Sequence, residues 1–153
     1  MNDRELKKLE GRWFLQYSGC PLWQKGSIDT ISFNYELMHK GENLVLKEKV
    51  EFRKNGKMKI KRGFEIPMED SNVLNWKGIG MNKFFRNQSK VLYNKEGILI
   101  MWFEKTISTP ESIDVLTRKK HLSAEESTYI FSILENLKET SGYIGELESV
   151  NIL

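Results

Sequence analysis

The sequence has 153 residues, of which 39% are apolar and 29% charged, and its formal net charge is +3. This balance is typical of one folded domain and excludes a disordered chain. Lysines and arginines alternate with glutamates instead of gathering in one stretch, which argues against a nucleic-acid-binding protein, and the single cysteine, Cys20, excludes an internal disulfide.

The N-terminal segment predicts a short helix over residues 3–9. Its first residues, Met1-Asn2-Asp3-Arg4-Glu5, contain no apolar signal core. No apolar run in the chain reaches membrane-spanning length. These features predict a cytoplasmic protein, and a removed signal peptide replaced by a start Met would leave the same sequence.

Eight segments then show strand patterns. In residues 28–38 the apolar side chains of Ile31, Phe33 and Tyr35 alternate with polar ones, which is typical of a strand with one buried and one solvated face. The eight segments are 11–18, 28–38, 43–53, 57–66, 73–80, 90–94, 98–105 and 112–119. Short connections rich in Gly and Asn join most of them as hairpins. An antiparallel meander of this kind closes readily into a barrel.

The end of the chain changes to a helical period. Ser123 is followed three residues later by Glu126, the spacing of a reciprocal capping box. Apolar residues then recur at helical spacing, at Ile130, Ile133, Leu134 and Leu137. We therefore predict an all-β domain over residues 1–153: an eight-stranded antiparallel up-and-down β-barrel with one C-terminal α-helix, about 123–140, packed on the outside.

This arrangement resembles the lipocalin family. The resemblance rests on Gly11-x-Trp13 at the start of the first strand, Arg118 at the end of the last, and the capped helix that follows. It implies that the Arg118 guanidinium lies across the Trp13 indole at the closed end of the barrel. It also implies a protein that binds, transports or scavenges a small hydrophobic ligand. The hairpin 93–97 departs from the family's Thr-Asp-Tyr motif.

The register of the strands predicts which side chains face the barrel interior. If Lys54-Asn55-Gly56 is a three-residue hairpin loop, Glu48 lies directly opposite Arg62 on the inner face. Burial of either charge alone is costly, so we expect a cross-strand ion pair. Such a pair is either a polar anchor for a ligand carboxylate or hydroxyl, or a structural pair at the wet barrel mouth.

The same reasoning defines the candidate ligand-binding residues. A four-residue loop over 39–42 sets Tyr35 opposite Leu46 and Phe33 opposite Glu48. The predicted site combines apolar walls with these polar groups. It consists of Phe33, Tyr35, Leu46, Glu48, Val50, Arg62, Phe64 and Trp76.

The loop after the first strand carries Cys20 and Trp23. This loop is similar to the free-cysteine loop of the plasma alpha-microglobulin lipocalin, which implies a reactive thiol. A nearby cation, Lys25, would lower the thiol pKa, and the alternative is an unreactive small residue. Trp23 is either a lid residue that closes on ligand or part of the core.

Three other functions are alternatives to a carrier. The sequence contains no nucleophile elbow, phosphate loop or metal-ligand spacing around His39 and His121, which predicts a non-enzymatic protein without a cofactor. Because some lipocalin-like barrels are enzymes, a lipocalin-like enzyme is the first alternative. A haem-binding barrel would need an axial ligand such as Tyr35, Met58 or Met101. A barrel filled by its aromatic side chains would act as an interaction module. In that case Phe84 and Phe85, in a predicted loop, would form a membrane-touching or partner-docking tip.

Overall fold

The computed structural model describes residues 1–82 and 86–153, and within these ranges it has nine β-strands, two α-helices and two 3₁₀-helices. The strands are β1 (Gly11–Ser18), β2 (Ile28–Lys40), β3 (Asn43–Lys54), β4 (Lys57–Pro67), β5 (Val73–Gly78), β6 (Arg86–Lys95), β7 (Ile98–Phe103), β8 (Ser112–Thr117) and β9 (Glu148–Ser149). The helices are α1 (Asp3–Lys7) and α2 (Ala124–Asn136), and the 3₁₀-helices cover Gly80–Asn82 and Ser141–Glu146.

The predicted barrel is confirmed. Each strand from β2 to β8 pairs antiparallel with the next, and β1 pairs with both β2 and β8, which closes the sheet. One edge of β1 pairs with β2 from Gly11 to Phe14, and the other pairs with β8 from Phe14 to Ser18, with a bulge at Gln16 in the β1–β8 ladder. The added strand β9 pairs with the last two residues of β1.

Two hairpin registers differ from the prediction. The β2–β3 loop is Gly41-Glu42, so Tyr35 lies opposite Glu48 and not Leu46. The β3–β4 loop is Asn55-Gly56, and both residues have positive φ, at 51° and 76°. An Asn-Gly pair favours this tight two-residue turn, whose twist matches that of the flanking strands. The predicted three-residue loop was therefore wrong, and every β4 side chain faces the opposite side from the one expected.

The core has two layers. The barrel interior buries Trp13, Leu15, Ile31, Leu46, Leu99 and Leu116, among others. The second layer lies between the barrel wall and α2, where Ile130 and Leu134 of the helix pack on Ile100, Ile113 and Val115 of β7 and β8. These two strands are apolar on both faces because one face meets the lumen and the other meets the helix.

The C-terminal helix begins as predicted and ends earlier. The Ser123 and Glu126 side chains form the reciprocal capping box. The helix ends at Asn136 and not near 140, because Leu137 takes an extended conformation and the Thr140 hydroxyl donates to the Leu134 carbonyl, 2.6 Å away. A carbonyl at the helix end thus finds its donor in the next segment.

No helix in the described ranges is long and apolar enough to cross a membrane.

Candidate ligand site in the barrel interior

Six of the eight predicted ligand-binding residues face the interior and are buried. They are Phe33, Tyr35, Leu46, Glu48, Val50 and Trp76. Four of them belong to the apolar lumen cluster, and Glu48 shares the inner parity of β3 with Leu46 and Val50. Their role in ligand binding stays a prediction.

Arg62 and Phe64 lie on the outer face instead. Arg62 is exposed and pairs in register with Lys49, and Phe64 lies under the Lys40 ammonium, 5.3 Å from its ring centroid. The predicted Glu48–Arg62 pair therefore does not form. The reason is the tight Asn55-Gly56 turn, which shifts the β3–β4 register by one residue. This shift places Lys59 and Lys61, near the start of β4, opposite Phe52 and Val50 at the mouth of the barrel.

A pair of buried carboxyl groups occupies the place predicted for the ion pair. The shifted register sets Gly63 opposite Glu48 and brings Glu65, two residues further along β4, onto the same inner face. Glu48 is 5% exposed and Glu65 is 1% exposed. Sequence reasoning missed Glu65 because it was assigned, with the neighbouring lysines, to the wet face of β4.

Trp76 completes this arrangement from the adjacent strand. It lies opposite Glu65, and its indole Nε1 donates to Glu48 Oε1 at 2.8 Å. The indole crosses directly over Gly63, where a Cβ atom would stand 2.4 Å from Nε1. The absence of a side chain at position 63 therefore permits the hydrogen bond that holds Glu48.

Burial and mutual repulsion control the protonation of the pair. The pKa of Glu65 is raised well above its ordinary value by burial first, and then by the charge of Glu48 and a hydrogen bond with it. Burial also raises the pKa of Glu48, while the Tyr35 hydroxyl and the Trp76 indole oppose that rise. Two interacting buried carboxylates do not both ionise readily, so the pair shares a proton.

Further polar groups face the same lumen. Asp114 of β8 is 2% exposed and accepts a 2.5 Å hydrogen bond from the Ser18 hydroxyl. Burial raises the pKa of Asp114 to about 7. Ser89 of β6 is fully buried and lies in register with Leu74 and Phe103, whose side chains pack against the lumen cluster.

Two buried oxygen atoms lack partners among the described residues: Glu65 Oε2 and Ser89 Oγ. Buried polar groups are almost always hydrogen-bonded in native proteins, because an unpaired one costs about 1–3 kcal/mol. Such atoms mark a place where a bound molecule can supply the missing donors.

The closed end of the barrel contains the predicted Trp13–Arg118 contact. The guanidinium carbon lies 3.7 Å from the indole centroid, and its nitrogens donate to the carbonyls of Lys8, Glu10 and Arg12. Gly11 has a φ of 105°, and a Cβ there would stand 2.7 Å from Arg118 Nη1. Glycine at position 11 thus allows the arginine to seal this end.

The mouth is partly covered by the loop between β1 and β2. Trp23 is 9% exposed and packs edge-on against Phe52, with 5.4 Å between ring centroids. Burial raises the pKa of the Cys20 thiol, and this outweighs the hydrogen bonds from backbone groups that lower it. That direction is opposite to the lowered pKa on which the prediction of a reactive thiol depended.

Of the three candidate haem ligands, two lie inside the barrel and one lies at the surface. Tyr35 and Met101 meet inside the barrel, at 3.9 Å from hydroxyl to sulfur, whereas Met58 is 56% exposed and wrongly placed to bind haem. Phe84 and Phe85 lie outside the described residues. In the described ranges, no three His, Cys, Asp or Glu side chains cluster so as to hold a metal ion.

Two open grooves are present on the barrel, and Trp76, the hydrogen-bond donor to Glu48, lines the second of them. One, of about 650 Å³, is lined at the closed end by α1, the β4–β5 loop and β6. The other, of about 560 Å³, runs beside β5 and β6. Neither groove is lined by Glu48 or Glu65.

Comparison with known proteins identifies the fold. No protein-family model and no curated protein sequence matches the chain. Lobster apocrustacyanin A1 matches 95% of this chain and 78% of its own, at 10% identity and a TM-score of 0.64. The siderocalin Ex-FABP matches 94% of each chain at 11% identity and a TM-score of 0.66. The bovine lipocalin allergen Bos d 2 matches 95% of this chain and 93% of its own, at 15% identity and a TM-score of 0.63. The chain therefore has a lipocalin-like fold, as predicted.

Proposed function

We propose that this lipocalin-like barrel binds a small, largely apolar molecule in its lumen and carries or scavenges it without catalysis. The observation that carries the proposal is two buried oxygen atoms without partners among the described residues, Glu65 Oε2 and Ser89 Oγ, inside a largely apolar interior. A protein that only needed a stable barrel would gain by replacing these groups with apolar ones.

The fold neighbours support a binding role. The siderocalin Ex-FABP, which shares the architecture, functions through dual ligand specificities. Here the walls of the lumen are aliphatic and aromatic, and a small number of polar groups are placed among them. Such a combination is typical of small-molecule sites, in which apolar contacts give affinity and a few polar groups fix orientation.

Access to this site lies on the mouth side. The Trp23 indole, in the loop between β1 and β2, packs on Phe52, a partly buried residue near the end of β3. Both residues lie at the mouth of the barrel. A ligand that enters displaces this aromatic contact, which is worth about 0.5–1.5 kcal/mol beyond its buried area. The cost is small enough for a ligand to offset by burying its own apolar surface.

Titration with a neutral fluorescent probe, Nile red, tests the proposal. We expect saturable binding to the wild type, and loss of binding in Val50→Phe, which adds a ring to the inner face of β3. The matched control is Lys49→Phe, which places the same ring on the outer face of the same strand. Equal binding by both variants, or no probe binding by the wild type, would contradict a ligand site in the lumen.

A second candidate is a filled barrel that acts through its outer surface. It is favoured by the two open grooves, neither of which is lined by Glu48 or Glu65. Under this alternative, Nile red binding would be insensitive to Val50→Phe.

A further inference from the structure

We propose that the ligand of this barrel carries a protonated amine, which Glu48 and Glu65 bind in the lumen. The inference rests on the proposed function and specifies the chemical class of the ligand. It depends on three features of the interior: the negative charge of its buried carboxyl groups, the buried oxygen atoms without partners, and the small number of side chains that could coordinate a metal ion.

The interior has carboxyl groups without cations to match. Glu48 and Glu65 are buried on adjacent strands, and Asp114 faces them from β8. In the described ranges, every ion pair lies elsewhere: Arg12–Glu51, Lys49–Glu51, Arg53–Asp29 and Lys119–Glu126. A buried carboxylate is costly unless a cation is paired with it, and a ligand cation would supply that partner.

The nearest basic side chain is engaged with the aromatic ring instead. The Lys61 ammonium lies 5.1 Å from the centroid of the Trp76 ring and forms no ion pair with either glutamate among the described contacts. Its weak electrostatic effect on Glu48 is the smallest of the influences on that carboxyl group. The pair therefore remains available to a second cation.

The unpartnered atoms give an independent indication of a donor-rich ligand. Ser89 Oγ and Glu65 Oε2 are both buried, and no described group donates to either. An ammonium group has three donors and no acceptor, so it can donate to carboxyl oxygens and to the lone pairs of a serine hydroxyl at the same time. A hydroxyl group brings one donor, and a carboxylate brings none and is repelled by the pair.

The small number of candidate metal-coordinating side chains favours an organic cation over a metal ion. A bare divalent ion takes four or more ligands, and the described residues provide no cluster of three candidate metal ligands. The aliphatic and aromatic lumen walls instead suit a molecule with an apolar body and one charged end. Two carboxyl groups in an apolar chamber thus indicate an amine with a hydrophobic body.

Isothermal titration calorimetry with three probes that share an indole body tests this inference. They are tryptamine, a cation; tryptophol, a neutral alcohol; and indole-3-acetate, an anion. We expect wild-type protein to bind tryptamine about tenfold more tightly than tryptophol, a difference of about 1.4 kcal/mol, because only the ammonium pairs with the buried carboxyl groups, and to bind indole-3-acetate most weakly.

Two substitutions locate the effect. Glu48→Gln and Glu65→Gln keep side-chain size and remove one carboxyl group each, and the double variant removes the negative charge of the pair altogether. We expect the double variant to bind tryptamine no more tightly than tryptophol and each single variant to lose part of the tryptamine preference, while tryptophol affinity is unchanged. The matched control is Glu51→Gln, which removes a carboxylate from the outer face of β3. If the double variant fails to fold, a single variant that keeps the whole tryptamine preference overturns the inference.

The possible results separate the two proposals. Equal affinity of the wild type for tryptamine and tryptophol, or a tryptamine preference that survives in the double variant, overturns the amine inference. In either case Nile red binding that Val50→Phe abolishes leaves the general binding function intact. Absence of binding by Nile red and all three indoles overturns both.

Discussion

The contact between Gly63 and Trp76 allows a quantitative prediction for Gly63→Ala. A Cβ at position 63 would lie 2.4 Å from Nε1 and 2.5 Å from Cε2 of the indole, whereas ordinary contacts begin near 3.4 Å. The ring must therefore move by about 1 Å, in a core where added methyl groups typically cost 1–3 kcal/mol. The backbone at Gly63 is not in the left-handed region, so the clash is the whole cause.

Movement of the ring also breaks the hydrogen bond from Trp76 Nε1 to Glu48, 2.8 Å long in the wild type. Loss of a hydrogen bond to a buried carboxyl group costs roughly 1.5 kcal/mol or more, so we expect Gly63→Ala to lower the free energy of unfolding by about 2–4 kcal/mol. Urea denaturation measures the loss. The Trp76 indole N–H resonance, assigned from Trp76→Phe, reports the hydrogen bond directly.

Two controls accompany this measurement. Gly142→Ala should change stability by less than about 0.5 kcal/mol, because its Cβ would meet no described atom within 4 Å. In a Trp76→Phe background the cost of Gly63→Ala should shrink, since the phenyl ring lacks the crowded part of the indole. If Gly63→Ala is as stable as wild type with an unshifted Trp76 resonance, the steric argument is refuted.

Three further predictions concern other parts of the barrel. Arg118→Lys keeps the charge but loses the stacking of the planar guanidinium on Trp13 and its hydrogen bonds to backbone carbonyls. The free energy of unfolding should therefore fall by about 1–3 kcal/mol. Urea unfolding equal to that of the wild type would contradict this prediction. The pKa of Asp114 is raised to about 7 by burial, so the folded state binds this proton more tightly than the unfolded state. The free energy of unfolding should accordingly decrease as pH rises from about 4 to about 7. Asp114→Asn should make this decrease smaller, as measured by urea unfolding at about pH 5 and about pH 8. A steeper decrease in the variant would disprove this role of Asp114. Because burial raises the pKa of Cys20, iodoacetamide should alkylate it more slowly than free cysteine at neutral pH, and faster reaction would support the reactive-thiol hypothesis.

Local sequence signals predicted the architecture well. Alternation located all eight barrel strands, and the Ser123–Glu126 capping box located the start of α2. The Trp13–Arg118 contact followed from a family resemblance and lies at the expected place. These features depend on neighbouring residues or on one strong contact, which is why a single sequence is sufficient to predict them.

The interior was predicted less well because two local signals conflicted. The apolar pattern of β4 favoured a lumen lined by Met58 and Ile60, whereas the Asn55-Gly56 turn required the opposite face. The turn determined the register, and Met58 and Ile60 are 56% and 43% exposed. Burial of Glu65 and Asp114 runs against the usual preference of carboxylates for solvent, so no pattern rule identifies it.

The seam between β1 and β8 has a consequence for how the chain folds. Gln16 and Thr117, whose side chains are hydrogen-bonded across this seam, are 101 residues apart in sequence. The tail then crosses the same place, where the Val150 amide donates to the Gln16 carbonyl, 2.8 Å away. Contacts so distant in sequence carry the largest loop-closure entropy of the barrel and form after the local hairpins. A ribosome-bound chain therefore holds its first strand without these partners until Thr117 and then Val150 have been synthesised.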